Sequence, residues 1–233
     1  MKTPKVDQLS IRQFQVLLIV TVFSSFCHGA TVYWSGGVGD WDVAGNWSGG
    51  SVPGSSDNAT IHGFGTTYNV TIDQAVSNIN ILNVGGNNSP SQTSILNINS
   101  GGSLTAGNMD LSRHVVTLNI NGGSLTLDNS INTGQAYIGN RNATDNNTTV
   151  NLTAGAFTSN KRTDITGDGP VTFNISGGTY THNDERLTIH NIPTAVTFNH
   201  SGGTWQMFNS NYGISAEVNQ DIDFNFSGNA VFY

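Results

Sequence analysis

Through most of the chain apolar and polar residues alternate in short runs, a glycine-containing turn cuts each run, and the runs come back. The segments LNINSGGSLTA, LNINGGSLTL, VNLTAGAFTS, FNISGGTYTH, FNHSGGTWQM and FNFSGNAVFY place Asn97, Asn119, Asn151, Asn174, Asn199 and Asn225 at one phase, 22 to 32 residues apart. Recurrence at this period marks stacked repeats rather than a globule with one central core. In VTLNINGGSLTL the residues Val116, Leu118 and Ile120 fall on one side of a period-two strand, and Thr117 and Asn119 fall on the other. After the Asn-Gly-Gly turn, Leu125 and Leu127 return to the first side. A third apolar row follows at Leu111, Ile138, Ile165, Ile189 and Ile214, so each repeat supplies three short strands. The pattern predicts an all-β chain folded as a three-sided parallel β-helix, a β-solenoid, right-handed by the rule for parallel crossovers. An antiparallel sandwich is also made of short strands, but it has no reason to repeat residue identity at a fixed phase.

The phase assigns side chains to inside and outside. Phe157, Tyr180 and Trp205 share the position of Leu104 and Leu125, which predicts an interior column. His200 takes the inward phase of Ile98, Ile120, Leu152, Ile175 and Phe226, where a histidine bonded to a backbone group is expected. The outward face pairs Thr117 with Asn119, Thr149 with Asn151, Thr172 with Asn174, and Thr197 with Asn199, ending at Asp223 with Asn225. Stacked amides can hydrogen-bond along the axis, so this face is expected to be a stabilising ladder. Its Thr172, Asn174, Thr197 and Asn199 are also the candidate ligand-binding residues, because a flat polar array could take a glycan. The longest interval, Asn119 to Asn151, holds polar tracts at 128–135 and 141–149 that read as loops standing out from the coil.

The N-terminal part is different material. Lys2, Lys5 and Arg12 precede an apolar run from Phe14 to Phe26, and Gly29 and Ala30 close it, which reads as a secretory signal peptide over 1–30. The run is shorter than the roughly twenty residues a membrane-spanning helix needs. Cys27 lies inside it, so the mature chain has no cysteine and no membrane span. Next, 31–65 is rich in Gly and Trp, with Trp34, Trp41 and Trp47 close together, and reads as an N-terminal cap over the end of the coils. Coils then run over 66–233. The last of them stops after the equivalent of its second strand, so the sequence reads as truncated or as part of a longer passenger.

The run from Tyr33 through Trp47 to Val52-Pro53-Gly54 and Asp57-Asn58-Ala59-Thr60-Ile61, followed by the Gly-Gly coils, resembles exported bacterial surface proteins. These carry autotransporter-associated β-strand repeats or a C-terminal PEP-CTERM sorting segment. The resemblance implies a β-solenoid at the cell exterior and carries no catalytic site over. The chain departs from that pattern in showing no Pro-Glu-Pro signal, terminal membrane helix or outer-membrane barrel before Tyr233.

Charge narrows the function classes. Charged residues are 10% of the chain, and after Ala30 five Lys/Arg stand against fourteen Asp/Glu. Nucleic acid is an improbable partner, since phosphate binding needs a basic face. No cofactor fingerprint occurs, and the histidines show neither HxH nor HExxH spacing, so no metal ligand is assigned. The densest charged cluster is Lys161, Arg162, Asp164 and Asp168, with Asp184, Glu185 and Arg186 about one coil later. Asp164, Asp168, Asp184 and Glu185 are therefore the catalytic candidates, should this be a polysaccharide lyase or hydrolase built on a β-helix. As an ion-pair patch on solvated turns they would have no such role. The leading expectation is a non-enzymatic, secreted or cell-surface structural or adhesive module facing extracellular polysaccharide or cell-surface components. The alternatives are the enzyme and a glycan-binding surface without turnover.

Overall fold

A computed structural model of the chain describes residues 29–62, 67–85, 92–139, 147–167, 169–183, 186–190, 195–208, 213–216 and 221–233. Except for Gly29 and Ala30, the leader read at 1–30 lies outside them. The described chain is a parallel β-solenoid of about seven turns. Each turn runs through three sheets. The first stacks Thr31–Tyr33, Asn58–Ile61, Ile79–Val84, the end of Ser103–Leu111, then Ala136–Ile138, Thr163–Thr166, Leu187–His190 and Ile214–Ala216. The second begins with Val38–Asp40, Thr67–Ile72 and Thr93–Asn99, continues through the first halves of Val115–Leu127 and Asn147–Ser159, and ends with Val171–Ile175, Val196–His200 and Ile222–Phe226. The third takes the start of Ser103–Leu111 and the second halves of the two long strands, followed by Thr179–His182, Thr204–Met207 and Val231–Phe232.

Like sits on like because parallel rungs repeat every 4.7–4.9 Å, roughly, and a side chain's nearest neighbours are those of the next rung. In the second sheet Val70, Leu96, Leu118, Val150, Phe173 and Phe198 form one buried inward column, and Ile72, Ile98, Ile120, Leu152, Ile175 and His200 form the next. The third sheet buries Leu104, Leu125, Phe157, Tyr180 and Trp205 in register, the interior column expected from their phase. Phe157, Tyr180 and Trp205 meet edge to face at 5.2 and 5.3 Å between ring centroids. In the first sheet Leu111, Ile138, Ile165 and Ile189 stack as read, but the row ends on Ala216. Ile214 pairs with Leu187, one pleat earlier. Period-two spacing cannot distinguish two inward positions of one strand.

The Gly-Gly corners have a steric cause. Gly155, Gly178 and Gly203 have φ of 82°, 72° and 75°. A Cβ at Gly155 would lie 2.0 Å from the Gly123 carbonyl oxygen, and one at Gly203 would lie 2.5 Å from that of Gly178. Each corner rests on the carbonyl of the corner beneath it, so a side chain there would push neighbouring rungs apart.

The Trp-rich segment is built into the first coil. Thr31–Tyr33 pairs with Asn58–Ile61 and Val38–Asp40 with the strand Thr67–Ile72, so among the described residues the stacking begins at Thr31. Trp34, Trp41 and Trp47 are all buried. Their rings pack edge to face at 5.0 and 4.7 Å, and the Trp47 indole donates to the Trp41 carbonyl at 2.6 Å. These rings close the core and offer no exposed platform for a sugar. At the other end Phe226, an inward residue of the last described rung, is 55% exposed.

The tract at 128–135 does not stand out from the coil. Lys161, only 1% exposed, donates to Asn129 Oδ1 at 3.2 Å, to the Gly134 carbonyl at 2.6 Å and to the Asn132 carbonyl. The three donors of one ammonium hold the tract against the first sheet. Gly107 leaves room beneath it, since a Cβ there would lie 2.7 Å from Asn132 Cβ and from Ile131 Cγ2. In the second tract, 141–146 lies outside the described residues.

The core columns make a strong prediction. Ile189 is fully buried between Ile165 and Ala216 in register. Ile189→Asp should cost upwards of ~4 kcal/mol, because a carboxylate would enter an apolar column without a partner. Circular dichroism with urea denaturation should show loss of the cooperative transition, and limited proteolysis should cut first in the rungs beside residue 189.

Candidate functional site

The three outward faces differ in kind. On the second sheet the asparagines form an unbroken ladder: each Nδ2 donates to the Oδ1 of the rung below, from Asn225 through Asn199, Asn174, Asn151 and Asn119 to Asn97, at 2.8 to 3.0 Å. Asn97 continues it to Asn69 at 2.6 Å. That last step is diagonal, because the register partner of Asn97 is Thr71. Of the ligand candidates on this face, Thr172 stacks on Thr197 and Asn174 on Asn199, as their spacing requires. Asn174 and Asn199 each engage one amide hydrogen and one carbonyl lone pair with neighbouring rungs. The third sheet also repeats outward, with Thr105, Thr126, Thr158 and Thr181 in register.

The first sheet does not repeat. Its central outward column reads Tyr33, Thr60, Asn83, Asp110, Tyr137, Asp164, Thr188 and Ser215, a different group at almost every rung. All the described Lys and Arg lie on or beside this sheet: Arg113, Lys161, Arg162 and Arg186.

Two places on the column gather polar chemistry. Around Asp164, which is buried, Arg162 Nε donates to Oδ1 at 2.8 Å and His190 Nε2 stands 3.5 Å from the same oxygen. The Gln135 amide, in the orientation that satisfies both its ends, donates to Asp164 Oδ2 at 2.8 Å and accepts from Arg162 Nη1 at 3.1 Å. Both carboxylate oxygens are thus engaged by side chains of the rungs on either side. Of the four catalytic candidates only Asp164 is among the described residues; Asp168, Asp184 and Glu185 lie outside them. The structure therefore brings Asp164 together with Arg162, His190 and Gln135. Sequence reasoning named neither His190 nor Gln135 for this cluster, because the register that aligns them is visible only once the coils are stacked.

The second place is a cavity of about 250 Å³ near the N-terminal end, lined by Thr31, Tyr33, Thr60, His62, Asn83, Gly85, Asp110, Ser112 and Arg113. Tyr33 is 44% exposed and packs edge to face on His62 at 5.3 Å. Asn83 Nδ2 donates to Thr60 Oγ1 at 3.3 Å, which orients its amide. Burial, and then the neighbouring Arg113 guanidinium, hold the His62 pKa below its ordinary 6.5.

The inward histidines bond within the protein. His200 is buried, with Nε2 3.2 Å from the Gly203 carbonyl oxygen, the backbone contact expected of it. His182 Nδ1 lies 3.3 Å from the Tyr180 hydroxyl, whose own pKa burial raises. No described helix is long and apolar enough to cross a membrane. No family model matches the chain, and no match is found among curated proteins or solved structures.

Two measurements follow from this geometry. Asn151→Ala removes the donor to Asn119 and the acceptor for Asn174, and should cost about 1–3 kcal/mol in urea denaturation. Asn151→Asp keeps the shape but sets a carboxylate oxygen against Asn119 Oδ1, and should cost at least as much. For His62, NMR titration should give a midpoint below 6.5, and Arg113→Gln should raise it only part of the way, because burial is the larger cause. A depressed imidazole pKa means the folded state binds fewer protons, so its stabilising effect is complete above the ordinary value and declines as pH falls to the folded midpoint.

Proposed function

We propose that this chain is a non-enzymatic, exported β-solenoid module that acts outside the cell as a structural or adhesive element. The unbroken amide ladder on the second sheet carries this reading. A surface whose repeating residues bond to their own neighbours makes a stiff, extended rod. It needs no disulfide, which suits a mature chain without cysteine. The basic, apolar and small-residue order of 1–30 supports export, and a surface of bacterial exported-repeat type is the setting in which such a rod is useful.

The state of Asp164 favours this reading over a lyase or hydrolase. A general acid or base must reach a substrate proton, whereas the Asp164 carboxylate is buried and both its oxygens are turned toward the partly exposed Arg162, His190 and Gln135.

Export is tested by expressing the full chain in a Gram-negative host and sequencing the N-terminus of the product in each cell fraction. A mature product beginning at Thr31 outside the cytoplasm is expected; uncleaved protein held in the cytoplasm would overturn export. Incubation with a panel of neutral and acidic polysaccharides should release neither reducing ends nor unsaturated uronates. Turnover that disappears in Asp164→Asn would establish the enzyme instead.

A further inference from the structure

Two of the three outward faces repeat the same residue from rung to rung, and one does not. Repetition serves stacking, since identical side chains bond to each other along the axis. Where the group changes at each rung the bonds along the axis are local, Asn83 to Thr60 and Gln135 to Asp164 among them, and no single residue type is required at every rung. The cavity lies on this column. Tyr33, Thr60, Asn83 and Asp110 are four successive rungs of it, and His62, Gly85 and Ser112 follow the paired inward residues Ile61, Val84 and Leu111. Gly85 forms the gap between His62 and Ser112. Its φ is 82°, and a Cβ would lie 2.0 Å from the Ser112 carbonyl oxygen, so the wall is bare backbone at that point.

Arg113 closes the cavity in an unusual conformation. Its φ is 78°, and among the described residues it alone has a positive φ without being glycine. A long side chain in the left-handed region is uncommon and costs conformational energy, and such strain concentrates where a side chain must be aimed. Here the turn sets Arg113 among the residues that line the cavity.

We propose that this cavity binds one pyranose ring of a neutral glycan. Its volume is just under the ~300 Å³ at which sites for larger organic ligands begin, which suits a single ring. The Tyr33 ring is fixed by His62 and partly exposed, so its free face can pack on the C–H face of a sugar. Adjacent ring hydroxyls act as donors and acceptors together and need both kinds of partner side by side. Asn83, Thr31 and Thr60 carry both kinds, and Asp110 and Arg113, which have partners in the protein as well, line the same wall with an acceptor and a donor group. The opposite charges of Asp110 and Arg113 leave no net positive field for an anion, which selects a neutral sugar over a uronate. The column continues past Asp110 to Tyr137, so a longer chain would run along the solenoid axis toward the C-terminal rungs. This binding site goes beyond the structural or adhesive reading and stands on the cavity alone, wherever the protein is displayed.

The test uses the purified full chain and isothermal titration calorimetry against fragments of β-glucan, xylan, mannan and galactan, with oligogalacturonate and oligoguluronate as acidic counterparts. At least one neutral fragment should bind. Tyr33→Ala, a change at a partly exposed ring, should weaken that binding tenfold or more without shifting the melting temperature, and Asn83→Ala should weaken it comparably while lowering the melting temperature slightly through the lost bond to Thr60. Tyr33→Phe should retain most of the affinity, and Asn174→Ala, on the ladder face, should leave it unchanged. Absence of binding to every neutral fragment, binding to the acidic fragments alone, or neutral binding that survives Tyr33→Ala would each overturn the assignment. None of these outcomes bears on export or on the lack of turnover, which their own experiments decide.

Discussion

Every feature of this protein depends on parallel rungs lying in register, one above another at the hydrogen-bonding distance of a β-sheet. That spacing, about 4.8 Å, is also the distance at which a side-chain amide on one rung reaches the amide on the next. Backbone pairing therefore sets the geometry for a second, side-chain set of hydrogen bonds, and the Asn ladder runs from Asn225 to Asn69 without a break. The two sets reinforce each other: a slip of one residue would turn each Asn into the core and each inward Ile or Phe into water. The same spacing explains the corners, where glycine alone lets one turn rest on the carbonyl of another.

The repeat was readable because stacking writes itself into the sequence at every coil. The phase of Asn119, Asn151, Asn174 and Asn199, and the inward placement of Phe157, Tyr180 and Trp205, all come from one constraint applied many times. Where the constraint acts once, the sequence says less. Ile214 belongs to the same inward side as Ile189 yet sits one pleat away, because the segment before it differs in length from its counterparts. The tract at 128–135 reads as a projecting loop from its polar composition. What turns it inward is one buried amine, Lys161, whose three acceptors are an amide oxygen and two backbone carbonyls with no sequence signature.

The two polar sites on the first sheet were legible to different degrees for the same reason. Asp164 could be picked out with Arg162 because they are two residues apart, but His190 and Gln135 join them only through register, one coil above and one below. The cavity is assembled from residues 31 to 113, contributed by four coils with two or three residues each. No local motif can describe such a site. The nearest sequence signal is negative: the column through Tyr33, Asn83 and Asp110 fails to repeat while its neighbours do.

That contrast bears on how a solenoid acquires function. A face that repeats is under stacking constraint at every rung, so changing one residue breaks bonds to two neighbours, as the amides of Asn119 and Asn174 on either side of Asn151 illustrate. On the first sheet the outward residues are unlike and bond along the axis only locally, at Asn83 with Thr60 and around Asp164, so no one residue type is required at every rung. All the described Lys and Arg lie on or beside the first sheet, together with the partly exposed Tyr33. Rigidity and chemical variety are thereby assigned to different faces of one prism, with the core columns between them holding both in register.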